Sequence, residues 1–166
     1  MECGMLVDVA RGQPFLEGLG PEHLDRLAAM ATLVRFAADQ IIFREGDKSH
    51  HFYLIQSGRV ALEVNAPGRV LTVETLVVGD EMGWSSFLED GTRPFQARAL
   101  DPVEAIRFDG ELLRQVCMED RELGYALEHR LLKVVSGRLQ ATLLQLLDMY
   151  GPDPSHHKPA SAKIGT

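Results

Sequence analysis

Residues 79–99 read GDEMGWSSFLEDGTRPFQARA. They contain glycine turns and a short apolar run, and Arg93 precedes a last segment that resembles a strand. Gly83 predicts a tight turn, and residues 84–88 follow it as a short helix. A glycine turn that opens a helix lets the backbone come close to a bound anion, and arginine adds a planar, two-pronged cationic donor. Gly83 and Arg93 are therefore residue types that an anion site can use.

The sequence on both sides of this stretch is typical of a β-rich fold. Over residues 34–108, short runs of Val, Ile, Leu and Phe alternate with turn signals about ten residues apart. Residues 59–64 and 70–76 flank a Pro-Gly loop and predict a hairpin. The spacing favours a sandwich, a barrel or a jelly roll.

Helical patterns stand before and after the strands. Pro21 predicts the first turn of a helix that ends near Leu33. Residues 110–118 predict a short helix, and residues 120–150 predict a long one that a Gly-Pro-Asp-Pro run ends.

The two ends of the chain differ from this pattern. Residues 1–14 show no regular periodicity and form a separate N-terminal segment in our interpretation. Residues 151–166 are polar, small and Pro-rich, which predicts a disordered tail. The domain is expected to comprise residues 15–150.

This order of elements resembles the cyclic-nucleotide-binding domain family, in its catabolite-activator and Fnr-like branch. The family's phosphate-binding cassette has the pattern Gly-Asp-x-x-Gly-Glu, a turn with a short helix, and then Arg followed by small residues. The chain keeps these family positions in register: Gly79, Asp80, Gly83, Arg93 and Ala99. IIFREGD at 41–47 and FYLIQSGRV at 52–60 resemble the family's second strand and its hairpin.

The resemblance covers residues 15–150 and implies a mainly β fold, a double-stranded β-helix or jelly roll. It adds an N-terminal helix, a short cassette helix and a long C-terminal helix. It also implies a nucleotide ligand, cAMP or cGMP, bound at these positions: Gly83, Trp84, Arg93, Pro94, Phe95 and, from the long helix, Thr142 near the purine.

Three positions of the cassette depart from the family pattern. Trp84 replaces the ribose-binding Glu and offers only an indole N–H donor. Pro94 lacks a backbone donor, and Phe95 replaces a small residue beside the anion. Besides a cyclic nucleotide, two alternatives therefore stay open: another planar ligand, or a pocket that Trp84 and Phe95 have closed.

The long helix carries an apolar stripe at alternating three- and four-residue steps, the spacing of a two-stranded coiled coil. Its positions are Leu132, Val135, Leu139, Thr142, Leu146 and Met149. The stripe favours a homodimer through residues 120–150 over a monomer in which the whole apolar surface covers the β-roll.

Composition and motifs exclude several classes of protein. The 166 residues carry a net charge of −7, which repels nucleic acid and anionic lipid, and residues 151–166 are too few for a helix-turn-helix module. We therefore expect no direct nucleic-acid binding and no membrane association, since no apolar run is long enough to span a bilayer. Two cysteines support neither a disulfide framework nor a zinc site, and they fit a cytoplasmic location.

No enzyme class matches the sequence. Adjacent His50 and His51 would point to opposite faces of a strand, unlike the His-x-His pair of a metal cupin. We expect no catalytic residues, no metal and no cofactor. The function predicted is a non-catalytic regulatory sensor in which the ligand biases the position of the long helix. The alternative is a ligand-independent protein-interaction and dimerisation module with a degenerate pocket, and either form could act through a regulatory protein partner.

Overall fold

The structure is a computed structural model that describes residues 2–151, with side chains from residue 4 onward. The helices are α1 Glu2–Arg11, α2 Pro21–Ala29, α3 Gly110–Glu119 and α4 Arg121–Tyr150, with short 3₁₀ helices at Pro14–Leu16 and Trp84–Phe87. The strands are β1 Ala31–Phe36, β2 Ile41–Phe43, β3 His51–Ser57, β4 Val60–Ala66, β5 Arg69–Leu76, β6 Glu81–Met82, β7 Gln96–Ala99 and β8 Val103–Asp109. The predicted tail lies outside the described residues apart from Gly151.

The strands form two four-stranded antiparallel sheets, in the orders β1-β8-β3-β6 and β2-β7-β4-β5. A core of aliphatic side chains and Tyr53 lies between the two sheets. This is the jelly roll that the turn spacing and the family resemblance predicted. The predicted hairpin is β4 and β5, which pair from Val60 with Leu76 to Ala66 with Arg69.

Strand β3 is buried on both of its faces. Tyr53 and Ile55 belong to the core between the sheets. Phe52 packs on the opposite face against Phe15 and Phe87, with ring centroids 5.1 Å apart in each pair. A strand covered on both sides is a continuous apolar run rather than an alternating pattern, which explains the sequence FYLI at 52–55.

The helices agree with the sequence except near the N-terminus. Helix α2 ends at Ala29, and Leu33 lies in β1, so the predicted end near Leu33 is wrong. Apolar residues continue at helical spacing past Ala29, but pairing of β1 with β8 stabilises the extended backbone there. Residues 1–14, which show no regular pattern, contain α1.

The chain divides into two compact units, Met1–Leu132 and Lys133–Thr166. The first unit contains both sheets, helices α1 to α3 and the beginning of α4, with Leu123, Leu127 and Leu131 buried. The second unit contains the remainder of α4, in which residues 139–150 are exposed.

A candidate ligand site around Arg93

Gly83 forms the turn that the sequence predicted. It adopts a φ of 89°, in the left-handed region that favours glycine, and the 3₁₀ helix Trp84–Phe87 follows at once. A Cβ atom built on Gly83 would lie 2.5 Å from Nη1 of Arg93 and 2.5 Å from the carbonyl oxygen of His51. Glycine is therefore required here both by the backbone conformation and by the arginine beside it.

The Arg93 side chain is turned into the protein. The residue is only 4% exposed, and its Nη2 donates a hydrogen bond of 2.7 Å to the carbonyl oxygen of His51. The guanidinium carbon lies 4.0 Å from the centre of the Phe43 ring, a cation–π contact. Nε and Nη1 are buried and have no hydrogen-bond partner among the described residues. Two donors of a buried cation are thus left unpaired.

The electrostatics of Arg93 are those of an arginine without a counter-charge. Burial lowers the pKa of its guanidinium to about 10, and the neighbouring Tyr53 and Asp47 offset only part of this effect. Burial likewise raises the pKa of the Tyr53 hydroxyl. A buried cation that lacks an anionic partner is destabilising unless something pairs with it.

Backbone hydrogen bonds fix the position of Arg93. Its N–H donates to the carbonyl oxygen of Asp47, and its carbonyl accepts from the N–H of Gly46, both at 2.8 Å. These bonds join the end of the cassette to the Gly-Asp turn of the motif at 41–47. The cassette and the motif at 41–47, two of the three stretches on which the family resemblance rests, are therefore in direct contact.

The three departures from the family pattern lie in different surroundings. Trp84 is half-buried as the first residue of the 3₁₀ helix. Pro94 is exposed. Phe95 is half-buried and packs against the core between the sheets. Of the predicted site residues, the structure brings Gly83 and Arg93 together, with Trp84 and Pro94 as their chain neighbours.

Thr142 lies on the part of α4 that belongs to the second unit. Its side chain is exposed, and its hydroxyl donates a hydrogen bond of 2.9 Å to the carbonyl oxygen of Arg138, one helical turn earlier. A predicted contact with a purine stays a prediction.

Sequence reasoning missed the two groups that hold the Arg93 guanidinium. Phe43 ends β2, and the His51 carbonyl belongs to the first residue of β3. The sequence feature that could have indicated Phe43 is its position immediately before the turn at 44–47, within the motif IIFREGD at 41–47. Nothing in the sequence indicates which backbone carbonyl an arginine will reach.

The described residues contain neither a metal-binding cluster nor a membrane-spanning helix. No cluster of three or more His, Cys, Asp or Glu side chains that could hold a metal ion occurs within residues 2–151. In the same part of the chain, no helix is long and apolar enough to cross a membrane.

Comparison with known proteins places this geometry in a family. The sequence model of the cyclic nucleotide-binding domain matches residues 33–120, which include both sheets from within β1 onward, the Gly83 turn and Arg93. The chain belongs to the cyclic nucleotide-binding domain family. Helices α1, α2 and α4 lie outside the matched region.

Relatives with a known name include bacterial regulators. The chain is 28% identical over 138 residues to a CRP-like cAMP-activated global transcriptional regulator of Mycobacterium tuberculosis. The match covers 82% of this chain and 60% of that protein, so the chain spans well under two thirds of the relative's length.

Solved structures give the same fold. A Geobacter metallireducens protein named a putative cyclic nucleotide-binding protein superposes with a TM-score of 0.71 at 26% identity, over 84% of this chain and 98% of that one. The catabolite activator protein of Thermus thermophilus gives a TM-score of 0.69 at 27% identity, over 83% of this chain and 63% of that one. The chain is similar to both proteins in its fold.

Proposed function

We propose that this protein is a non-catalytic regulatory sensor that binds a cyclic nucleotide, cAMP or cGMP, through Arg93. The observation that carries the proposal is the buried guanidinium with two unpaired nitrogens, 4% exposed and next to the Gly83 turn. A cyclic phosphate would supply the missing counter-charge and accept hydrogen bonds from those nitrogens. Such hydrogen bonds are stronger when the acceptor is an anion than when it is neutral. The name of the Mycobacterium relative, which states activation by cAMP, supports the same choice of ligand.

Binding requires a local rearrangement in this proposal. Nε and Nη1 expose almost no surface, and Nη2 is held by the His51 carbonyl. The phosphate must therefore move the guanidinium away from Phe43 or open the segment that covers it. Either movement alters the turn at Gly83, which is in van der Waals reach of the same side chain.

The output we propose is a shift in the position of α4. The ligand can shift that equilibrium only by the difference in its affinity for the two positions. The exposure of residues 139–150 of α4 supports such a shift, because no burial holds that part of the helix in place. Spin labels at Asp25→Cys and Gln140→Cys, with the native cysteines replaced by serine, would measure it as a distance distribution that changes when cAMP is added.

Calorimetric titration with cAMP and with cGMP tests the ligand. We expect saturation at one ligand per chain for at least one nucleotide, and about 100-fold weaker binding for Arg93→Met, because a charge-assisted contact is lost. Arg35→Met is the matched control, since Arg35 is an exposed arginine of β1 that pairs with Glu104 of β8. Trp84, the chain's single tryptophan, reports the same event by fluorescence.

The alternative function is a ligand-independent interaction and dimerisation module. Its supporting observation is that Arg93 already has contacts with Phe43 and His51 while Phe95 packs against the core. Titrations without heat or fluorescence change, for both nucleotides at millimolar concentration, would reject the sensor and favour this module.

We further propose that the protein forms a homodimer through α4 in the cytoplasm, and that it signals through a regulatory protein partner. Seven large apolar side chains between residues 139 and 150 are exposed, and they favour a helix partner: Leu139, Leu143, Leu144, Leu146, Leu147, Met149 and Tyr150. Light scattering after size exclusion should give a dimer for the native chain and a monomer for Leu139→Glu/Leu146→Glu. Gln140→Glu, on the same helix, should leave the dimer intact, and a native monomer at high concentration would contradict this proposal.

A further inference from the structure

A second recessed surface lies between the end of the 3₁₀ helix Trp84–Phe87 and helix α3. It is a groove of about 620 Å³ whose walls are residues 87–89 on one side and α3 with Glu128 of α4 on the other. Its apolar lining is open to water, because Leu88 is 54% and Met118 is 75% exposed. The volume of this groove is in the range of ligand-binding clefts, and its exposed apolar side chains offer a partner a surface to cover.

The rim of this groove is acidic. Three carboxylates line it, from Glu89, Glu111 and Glu128, against the single cation of Arg114. Arg114 is already engaged, since its Nη1 donates a hydrogen bond of 2.6 Å to the carbonyl oxygen of Ser86. A hydrogen bond to a neutral carbonyl leaves Arg114 charged, so the groove presents three negative charges and one positive charge to a partner, and its net charge is negative.

A smaller polar pocket of about 140 Å³ continues the groove toward the start of α3. It shares Glu89, Glu111 and Arg114 with the groove and adds the carboxylate of Asp109, along with Lys48 and His50. The groove thus has an apolar part around Leu88 and Met118, and a polar end that three carboxylates and two cations line, with a net negative charge. A ligand that fits both parts has an apolar side chain with a cationic side chain beside it.

We propose that this groove docks a basic amphipathic helix of a partner protein. Its apolar side chain covers Leu88 and Met118, and its lysine or arginine side chains pair with the carboxylates of Glu89, Glu111 and Glu128. Complementary charge speeds association and rejects partners of the wrong sign. An acidic segment or an anionic membrane surface is repelled by the same rim.

The groove is attached to the cassette through Arg114. The hydrogen bond from Arg114 to Ser86 fixes residues 86–88 against α3, so the apolar wall is in place before a partner arrives. A preformed wall lowers the ordering cost of binding. The inference stands on this surface alone and does not depend on whether Arg93 binds a nucleotide.

The test uses the full-length, isotope-labelled chain and three synthetic twelve-residue helical peptides. The first has leucine on one face and lysine on the flanks, the second has glutamate in place of every lysine, and the third has serine in place of every leucine. We expect only the first to shift the amide resonances of Leu88, Glu89, Gln115 and Met118 in a saturable way. Equal binding of the glutamate peptide, shifts that map elsewhere, or no binding at millimolar peptide would overturn the proposal.

Charge-reversal variants identify the surface. Glu111→Lys/Glu128→Lys should weaken the affinity for the lysine peptide by about tenfold or more, because two attractive charges become repulsive. Glu22→Lys/Asp25→Lys makes the same change in net charge on exposed positions of α2 and should leave the affinity within about twofold. Leu88→Ser/Met118→Ser tests the apolar part without any change of charge. An equal loss for the α2 control would show that the peptide responds only to net charge, and the proposal would fail.

Discussion

Arg93 and Arg98 stand five residues apart in the chain, and their surroundings are opposite. Arg98 makes hydrogen bonds of 3.1 and 2.6 Å to Oε1 of Glu63 and one of 3.2 Å to Asp39, and these partners raise the pKa of its guanidinium. Arg93 has a carbonyl and an aromatic ring as its partners, and burial lowers the pKa of its guanidinium. The guanidinium of Arg98 is paired with carboxylates of the same fold, whereas two nitrogens of the Arg93 guanidinium have no hydrogen-bond partner among the described residues.

The pair shows how an arginine that is paired within the fold differs from one that keeps unpaired donors. Glu63, which Arg98 neutralises, is 3% exposed and also accepts a hydrogen bond of 3.0 Å from Gln96. Every charge in that network has a partner of opposite sign or a donor. Arg93 is instead a buried cation without a partner of opposite charge, which lowers the stability of the fold. Such groups are found most often at functional sites.

The largest effect is expected for the glycine that makes room for Arg93. Gly83→Ala should destabilise the protein by about 3 kcal/mol, because it combines a left-handed backbone with a Cβ in collision with Arg93 and His51. Gly46→Ala is the matched control, since Gly46 has a φ of 84° with open space around it, and should cost about 1 kcal/mol. Urea unfolding measures both, and equal losses would mean that Arg93 does not occupy the space beside Gly83.

The next largest effect is expected for Arg98, the arginine that is paired with Glu63. Arg98→Ala should destabilise the protein by about 2 kcal/mol, because the Glu63 carboxylate stays buried without its cation. Arg59→Ala breaks an exposed pair with Asp101 and should change the free energy of unfolding very little.

The loss in Arg98→Ala should also depend on pH. Arg98 is the main cause that lowers the pKa of Glu63 from its ordinary value of 4.5. The stabilisation from a carboxylate with a depressed pKa is present above that value and disappears as the pH falls through the pKa of the folded state. The difference between the native chain and Arg98→Ala should therefore be constant near neutral pH and shrink below pH 4.5. A difference that does not vary with pH would contradict the pairing.

The smallest effect is the contact between Arg93 and Phe43. A double-mutant cycle with Arg93→Met and Phe43→Leu should give a coupling energy of about 1 kcal/mol, the size of a partly desolvated cation–π contact. The control cycle pairs Arg93→Met with Phe36→Leu, since Phe36 packs against Tyr53 with a centroid distance of 6.0 Å. Additivity in the first cycle would show that the ring does not hold the guanidinium.

The sequence predicted the jelly roll because its signals are local. Each turn is marked by Gly, Pro or Asp, and each strand is a short apolar run, so the β4–β5 hairpin and helices α3 and α4 lie where the patterns indicated. The end of α2 was wrong because apolar spacing continues into β1. Helix α1 gave no signal, since Gly4 and the β-branched Val7 and Val9 lower its intrinsic propensity.

Only part of the candidate site is visible in the sequence, for a physical reason. The register of Gly83 and Arg93 with the family motif is a property of one segment, and the structure brings these two residues together. The contacts of the guanidinium with Phe43 and with the His51 carbonyl join residues far apart in the chain, and their geometry depends on how β2 of one sheet lies relative to β3 of the other. The same holds for Arg98, whose partner Glu63 lies on another strand.

The most direct test of the account is the free energy of unfolding of Arg93→Met with and without cAMP. Without ligand we expect the variant to be within about 1 kcal/mol of the native chain, because a buried cation with two unpaired donors contributes little to folding. With saturating cAMP the native chain should gain stability and the variant should gain almost none. A variant that loses several kcal/mol without ligand, together with a native chain that cAMP does not stabilise, would mean that Arg93 belongs to the fold and not to a ligand.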